Sequence, residues 1–482
     1  MKKLFIVICL ILSTVEVFPS SIRIESDTVK SPKREKIGKF FSLNRKDSLR
    51  EYSKITTSAD NQPENQNKWS LQWGGFICND IFWDNRKMTD ARDGAICLYP
   101  DDIRPDIRGR DINATPSFNF VVMNTRLTLR IQAPDALGAK ISGMVEGWFM
   151  GISNQDMNGF AMRHAFLKMD WKSTSLLLGQ TWHPLFTENC FAHTVAASSG
   201  APFQPFARSP QIRVTQRFGS SQWMIYLNAQ RDYLSTGERG ASSEYIRHSA
   251  IPEMGAQYIF HQKKNGENNK SDEFLVGIGV DYKYLIPRLT TSANLYTRKG
   301  VNSGAVVLFG HYDHRFDKDI RMGIKVKALL SQACNEYLML GGYAVKFYDD
   351  NSLNDSIDYR YTGLRNFSSW IDIYTRIRKW EIGLFAGFSK NMGSSTAIQD
   401  HSNPKSYFAR NPYIDYLYRI SVRCKYTIQK LQFAVEPEYT AARYGTGLDS
   451  HGKIPADKSH NPNAEIHSVH GLRILLSATL FF

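Results

Sequence analysis

From Trp69 onward, the chain alternates apolar and polar residues with a period of two along many short stretches. The stretch WSLQWGGFIC, for example, places Trp69, Leu71 and Trp73 on one face and Ser70 and Gln72 on the other. The stretches NTRLTLRIQ, PQIRVTQRF and LYRISVRCKY repeat the pattern, with arginines on the polar face. Because successive side chains of a β-strand point to opposite faces, the pattern predicts two-faced β-strands.

Two architectures fit such strands. In a soluble sandwich, the apolar faces of two sheets meet and the polar faces contact water. In a membrane barrel, the apolar face contacts lipid and the polar face lines a wet lumen. Alternation alone does not distinguish them.

The connections between the predicted strands favour the barrel. Tight turns such as KS, GSS and RKW alternate with long loops such as 84–116, 183–207 and 333–363. Long loops at one end and short turns at the other are typical of outer-membrane barrels, and an even strand count places both termini on the periplasmic side. We therefore predict an all-β transmembrane antiparallel barrel of about 16 strands over residues 67–482, in the bacterial outer membrane. The predicted strands cover about 67–83, 117–132, 139–150, 161–171, 174–182, 208–218, 222–230, 252–262, 273–285, 304–313, 320–332, 364–376, 380–391, 413–427, 431–442 and 466–482.

The last residues, LRILLSATLFF, place Leu472, Ile474, Leu476 and Leu480 on one face together with the terminal Phe482. This pattern suits a closing strand in lipid, with Phe482 near an aromatic girdle. A terminal Phe resembles the signal that bacterial barrel-assembly machinery reads, so we assign Phe482 that role. The alternative is a buried C-terminal strand of a soluble domain.

The N-terminal part predicts export. Residues 1–21 combine Lys2 and Lys3 with a short apolar core, as in a signal peptide. Residues 22–66 are polar and charged without periodicity, which predicts a flexible periplasmic segment. No later segment holds 18 consecutive apolar residues, so we predict no transmembrane helix.

The chain is basic, with a formal net charge of +14 and a pI near 9.3. A solubilising surface, nucleic-acid binding, an anionic membrane face and an anion-conducting lumen would each use such charge. Export argues against nucleic acid as a partner.

Several stretches resemble those of DcaP-like trimeric porins, in the divergent version common in Bacteroidetes outer membranes. They are RHAFLKMDW, LLLGQTW, ARSPQIRVTQRF, YRISVRCKY and EPEYTAARYGTG, and the similarity runs from about residue 69 to the C-terminus. The resemblance implies a sixteen-stranded homotrimeric porin that favours small anionic solutes such as dicarboxylates. The family often carries a periplasmic coiled coil before the barrel, and residues 22–66 show no heptads.

The resemblance also implies that the third long loop, within 183–211, folds inward and narrows the lumen. Its stretch AASSGAP is small and flexible, and FQPF is apolar enough to anchor the loop on a wall. The alternative is an ordinary extracellular loop.

The polar faces supply candidate pore-lining and constriction residues. Clustered arginine forks and lysines in a narrow aqueous passage attract anions, whereas pairing with lumen carboxylates would only brace the barrel. The candidates are Arg126, Arg130, Arg208, Arg213, Arg217, Lys140, Glu146, Lys168, Arg419 and Arg423.

Catalytic and metal-binding signals are weak, and we predict no enzyme activity, no metal and no cofactor. The sequence lacks a G-x-S-x-G elbow, H-E-x-x-H and a P-loop. The spacing in HYDH and HSVH points each histidine pair to opposite faces of a strand. Carboxylates of the first long loop would bind Ca²⁺ or bridge lipopolysaccharide, but interleaved arginines already supply partners. Cys78 and Cys97 remain a possible disulfide pair.

The sequence thus predicts a porin for passive diffusion of small, anionic solutes, in contact with outer-membrane lipid and lipopolysaccharide. Two other functions stay open. The first is a plugged outer-membrane barrel that acts as a surface-binding or adhesion protein through its loops. The second is a barrel hydrolase acting on lipid or peptide.

Overall fold

The protein is described by a computed structural model over residues 68–267, 269–346, 358–457, 461–462 and 464–482. The predicted signal peptide and the N-terminal segment 22–66 lie outside the described residues. Within the described part, no helix is both long and apolar enough to cross a membrane.

Nearly all regular structure is antiparallel sheet. A short helix, α1, covers Glu244–Arg247, and 3-10 turns cover Ile112–Ala114, Pro184–Phe186 and Pro404–Ser406. The strands are β1 (Ser70–Asp84), β2 (Met88–Ala91), β3 (Ile96–Pro100), β4 (Ser117–Val121), β5 (Arg126–Ala136), β6 (Ala139–Trp148), β7 (Ala161–Asp170), β8 (Thr174–Trp182), β9 (Arg208–Phe218), β10 (Ser221–Asn228), β11 (Thr236–Gly237), β12 (Gly240–Ala241), β13 (Glu253–Asn265), β14 (Ser271–Leu285), β15 (Val301–Arg315), β16 (Ile320–Gln332), β17 (Gly341–Lys346), β18 (Arg360–Ile377), β19 (Trp380–Ser394), β20 (Tyr407–Arg410), β21 (Ile414–Ile428), β22 (Leu431–Gly445) and β23 (Ile466–Phe481).

The sheet closes on itself. β23 pairs antiparallel with β1 in a register that runs from Phe76 opposite Phe481 to Asp84 opposite Arg473. β4 and β5 together form the second wall strand, since both pair with β1. The wall strands in order are then β1, β4 with β5, β6 to β10, β13 to β16, β18, β19 and β21 to β23. The prediction of a barrel of about 16 strands is confirmed, and the predicted strand positions agree with the observed ones.

The two ends of the barrel differ in the length of their connections. Tight connections follow β5, β7, β9, β13, β15, β18 and β21, and both Ser70 and Phe481 lie at this end. The other end carries the long loops, which we number by order. Loop 1 covers 85–116, loop 3 covers 183–207, loop 4 covers 229–252 and loop 7 covers 395–413. This asymmetry is the one predicted for short periplasmic turns and long extracellular loops.

The outer face of the wall is apolar. Along β14, Val276, Ile278 and Val280 are exposed, whereas the alternating Leu275 is buried toward the interior. On β23, Ile474 and Leu476 are exposed in the same way. In a closed sheet the backbone groups are hydrogen-bonded between neighbouring strands, so the apolar outer face can contact hydrocarbon.

The apolar core lies inside the barrel rather than between two layers. It combines wall residues such as Trp370 and Phe385 with Phe186, Phe203 and Phe206 of loop 3. The five cysteines of the described part all carry free thiols, so the possible disulfide between Cys78 and Cys97 is not formed.

Candidate functional site

Loop 3 lies inside the barrel. Leu185, Cys190 and Phe203 are fully buried there, and the Cys190 thiol donates to the carbonyl oxygen of Gly310 in β15 at 3.3 Å. The prediction that this loop folds inward is therefore confirmed.

Carboxylates of the wall hold the loop 3 backbone. The Asp372 carboxylate on β18 accepts from the His193 backbone N–H at 2.7 Å. The Glu436 carboxylate on β22 accepts from the N–H groups of Val195 at 2.6 Å and Ala196 at 3.0 Å. Together these three hydrogen bonds fix the middle of the loop on the wall.

Lysines of the same wall bind loop 3 carbonyl oxygens. Lys327 donates to the Phe186 carbonyl oxygen at 2.6 Å, and Lys425 donates to that of His193 at 2.6 Å. Lys325 Nζ lies 2.6 Å from His193 Nε2. Burial, together with the Lys325 charge, holds the pKa of His193 well below its usual range, so the neutral ring accepts from the lysine.

An aromatic contact completes the docking. The Phe203 ring packs onto Gly387 of β19, where a Cβ would stand only 2.5 Å from the ring. A larger residue at position 387 would displace the loop. The loop therefore contacts the wall formed by β15 to β22, through both polar and apolar groups.

Loop 1 also enters the barrel, which the sequence did not predict. Its hairpin, β2 and β3, lies against the last strands of the wall. Arg419 donates to the carbonyl oxygens of Cys97 at 3.1 Å and Leu98 at 2.9 Å, and the Tyr444 hydroxyl donates to that of Pro100 at 2.7 Å. The apolar run ICLYP is the one sequence signal that would have indicated burial of this segment.

On the opposite side of loop 3 a cavity of about 110 Å³ remains. We call it the basic niche. Its charged lining consists of Lys168, Arg213 and Arg217 of the wall with Glu188 of loop 3. The other residues that line the cavity are Phe166, Ser175, Leu177, Thr181, His183, Pro184, Thr187, Asn189, Thr215, Gln222, Met224, Gln257 and Ile259.

The cations of the basic niche are only partly neutralised. Lys168 Nζ lies 2.9 Å from an oxygen of Asp170, and Arg213 Nη1 lies 3.7 Å from one of Glu188. Arg217 donates to the Ser175 hydroxyl at 2.9 Å and forms no ion pair with any described residue.

Two further predicted cations lie near the tight-turn end of this wall. Arg130 alternates with outward-facing Leu129 and Ile131 on β5, and Lys140 starts β6 beside the turn. Neither forms an ion pair within the part of the chain that the structure describes. Asp170, the residue opposite Lys140 on β7, pairs with Lys168 instead.

Other predicted site residues are buried above the basic niche. Glu146 accepts from Arg163 Nε at 2.7 Å, and Arg163 and Arg208 lie 4.2 and 4.3 Å from the Trp148 ring centre. Arg208 also pairs with Asp232 at 2.7 Å. Arg126 is buried at 4.9 Å from the Phe76 ring centre. These residues stabilise the wall where loop 3 begins and ends.

Arg419 and Arg423 face the interior but are only 1% exposed. Arg423 lies 2.6 Å from Asp372 and 3.4 Å from Glu381, and Arg419 binds loop 1 as described above. Both arginines are covered by the inward loops and separated from water. They hold those loops in place.

Phe482 is 47% exposed on the outer face at the tight-turn end. Its backbone N–H donates to the Gly75 carbonyl oxygen at 3.1 Å, and its own carbonyl oxygen accepts from the Gly75 N–H at 3.3 Å. The terminal residue thus closes the barrel seam. Its role as an assembly signal stays a prediction.

One buried group has the donor set of a metal site. His183, Glu253 and Asp281 offer ligand atoms within 4.8 Å of one another. However, Lys283 Nζ lies 2.7 Å from Glu253 and 2.6 Å from Glu336, so an ammonium group already supplies the cation. The set fits a structural ion-pair network better than a metal centre.

No family model and no curated protein matches the chain. Among solved structures, the barrel resembles the outer membrane channel DcaP of Acinetobacter baumannii, with a TM-score of 0.54 and 16% identity over 86% of this chain and 97% of that one. An anion-selective porin from Comamonas acidovorans gives a TM-score of 0.47 and 10% identity over 86% of this chain and 100% of its own. OprB of Pseudomonas putida gives 0.45 and 9% over 86% and 94%.

The DcaP likeness concerns the fold. Together with the closed sixteen-stranded wall, its apolar exterior and its asymmetric ends, it identifies the chain as a β-barrel of the bacterial outer membrane.

Proposed function

We propose that the protein is a porin through which small anionic solutes diffuse passively. The observation that carries this proposal is the position of loop 3. The loop is bound to the wall of β15 to β22, and a basic niche remains between it and the wall of β7 to β13. A water-filled path on that side would pass Lys168, Arg213 and Arg217.

The charges along this path favour anions. Arg130, Lys140 and Arg217 have no carboxylate partner among the described residues, and the pairing of Arg213 at 3.7 Å is loose. Unpaired cations in a narrow aqueous passage with low-dielectric walls raise the local anion concentration and repel cations. The preference should weaken at high salt, because screening shortens the range of the field.

We extend the proposal to the assembly that the sequence resemblance implies. The protein would form a homotrimer and contact outer-membrane lipid and lipopolysaccharide. The barrel-assembly machinery would insert it by reading Phe482.

One observation favours the plugged barrel as the second candidate. Loops 1 and 3 both enter the lumen, and Leu98 and Phe203 are fully buried within it. If the two loops close the path completely, the exposed loops would act in surface binding and no current would flow.

A hydrolase is less well supported. Thr181 Oγ1 lies 3.0 Å from His164 Nδ1, and His164 Nε2 lies 3.8 Å from Glu146. The second distance exceeds a hydrogen bond, and Arg163 and Thr128 already bind the Glu146 carboxylate. The row of hydroxyl, imidazole and carboxylate therefore lacks the geometry of an activated nucleophile.

Single-channel recording of the purified protein in planar bilayers tests the proposal. We expect stable conductance steps in KCl, larger for small anions than for bulky ones. Complete absence of conductance, from protein that runs as a folded heat-modifiable band, would favour the plugged barrel. Turnover of labelled lipid or peptide would instead support the hydrolase.

A further inference from the structure

Three arginines lie around a tyrosine at the long-loop end of the barrel. Arg92 comes from loop 1, Arg410 from loop 7 and Arg208 from the start of β9, directly after loop 3, and Tyr233 belongs to loop 4. We call these four residues the Tyr233 cluster. Arg208 pairs with Asp232, the residue next to Tyr233. Asn335 joins loop 4 to the strand that ends at Arg410, since it accepts from the Thr236 N–H at 3.2 Å and donates to the Phe408 carbonyl oxygen at 3.1 Å.

The contacts of this cluster leave hydrogen-bond donors unused. The Arg92 guanidinium carbon lies 5.5 Å from the centre of the Tyr233 ring, and Arg92 is only 4% exposed. Arg92 Nε, Arg410 Nε, Arg208 Nη1 and the Tyr233 hydroxyl are all buried and without a hydrogen-bond partner among the described residues.

The charge of the cluster is also unbalanced. Asp232 pairs with Arg208 at 2.7 Å, but neither Arg92 nor Arg410 forms an ion pair in the described ranges of the chain. Three guanidinium groups and one carboxylate leave two positive charges. Desolvated charges without partners are costly, so such an arrangement favours a bound counter-ion.

The unused donors define what would bind. The guanidinium N–H groups can only donate, and the phenol is able to donate as long as it keeps its proton. Burial, together with the Asp232 carboxylate, raises the pKa of Tyr233 to about 12, so its hydroxyl keeps its proton at neutral pH. An anion with several acceptor oxygens and two negative charges complements this set.

We propose that the Tyr233 cluster is a binding site for a divalent oxyanion of the phosphate or sulfate type, at the extracellular mouth of the barrel. Binding itself does not depend on conduction. A role in capturing anions before they reach the basic niche does rest on the proposed function.

Isothermal titration of the detergent-solubilised full chain with inorganic phosphate, and separately with sulfate, tests the site. The variant Arg92→Gln with Arg410→Gln removes the two unpaired charges, and we expect its affinity for both anions to fall at least about tenfold. Tyr233→Phe should weaken binding several-fold, since it removes one donor. Arg92→Lys with Arg410→Lys should give an intermediate affinity, because charge remains but the planar fork is lost.

A control variant makes the result specific. Arg104→Gln with Arg108→Gln alters exposed arginines of the same loop and should keep the wild-type affinity. All variants must show the heat-modifiable band of a folded barrel.

The inference is overturned if wild-type protein binds neither anion, or if the Arg92→Gln, Arg410→Gln variant binds both unchanged. A third outcome separates the site from the proposed function. If the wild-type protein binds phosphate and this variant does not, but the barrel shows no anion preference, the site is supported and only the proposed selectivity is contradicted.

Discussion

If the protein is the anion-preferring porin proposed above, replacing Arg130, Lys140 and Arg217 together by glutamate should convert it to cation preference. Each of these side chains faces the lumen near the tight-turn end, and none has a carboxylate partner among the described residues. Reversal therefore leaves no carboxylate without a counter-ion, and it changes the lumen charge by two units at each of the three positions. In an about tenfold KCl gradient across a planar bilayer, the zero-current potential should change sign.

The matched control changes the same number of charges outside the lumen. Arg104→Glu, Arg108→Glu and Arg231→Glu alter exposed loop residues, so the sign of the zero-current potential should stay that of the wild type. If the lumen variant also kept the wild-type sign, ions would not pass along the wall that carries these cations.

The substitution Arg423→Met should destabilise the barrel by about 3–5 kcal/mol, because it leaves buried carboxylates without their counter-charge. Arg423 lies 2.6 Å from Asp372 and 3.4 Å from Glu381, and Asp372 in turn holds the His193 N–H of loop 3. Denaturant unfolding in detergent, followed by loss of the heat-modifiable band, measures the effect.

Two further variants separate the buried pair from a general loss of charge. Arg423→Met with Asp372→Asn should recover part of the stability, since the most closely paired carboxylate is removed as well. Arg378→Met breaks an exposed pair with Asp319 at 3.8 Å and should change stability by less than about 1 kcal/mol. Equal effects of Arg423→Met and Arg378→Met would contradict the assignment of Arg423 to loop anchoring.

The wall of the barrel could be predicted from the sequence because strand patterning is local. Alternation assigns each residue to one of two faces, and the faces of β9, β21 and β23 agree with that assignment. The closing strand was predictable for the same reason, since Ile474 and Leu476 alternate with inward residues up to the last position.

The depth and covering of inward residues could not be predicted in this way. Arg130 and Arg423 have the same alternating pattern, yet Arg130 faces the open side and Arg423 is covered by loop 3. The difference depends on which wall the inward loops contact. Those contacts join residues far apart in the chain, such as Val195 with Glu436 and Cys97 with Arg419.

The Tyr233 cluster was missed for a related reason. Arg92, Arg410 and Tyr233 lie in separate loops without periodicity, so no spacing indicates that they meet. The antiparallel order of the strands places the long loops at one end of the barrel. Closure of the barrel and the inward folding of its loops then bring these side chains together.

The central claim is that water fills the side of loop 3 that faces the basic niche and is excluded from the side bound to β15–β22. Its most direct test is the reaction of a negatively charged thiol reagent with a cysteine introduced by Arg217→Cys in one variant and by Ser421→Cys in another. Ser421 is buried beneath loop 3, where its hydroxyl donates to Glu436 at 2.8 Å, and wild-type protein supplies the background of native thiols. We predict rapid modification and a fall in conductance at position 217, and no modification at position 421 in the folded barrel. Protection of position 217, or equally fast reaction at position 421, would contradict the account.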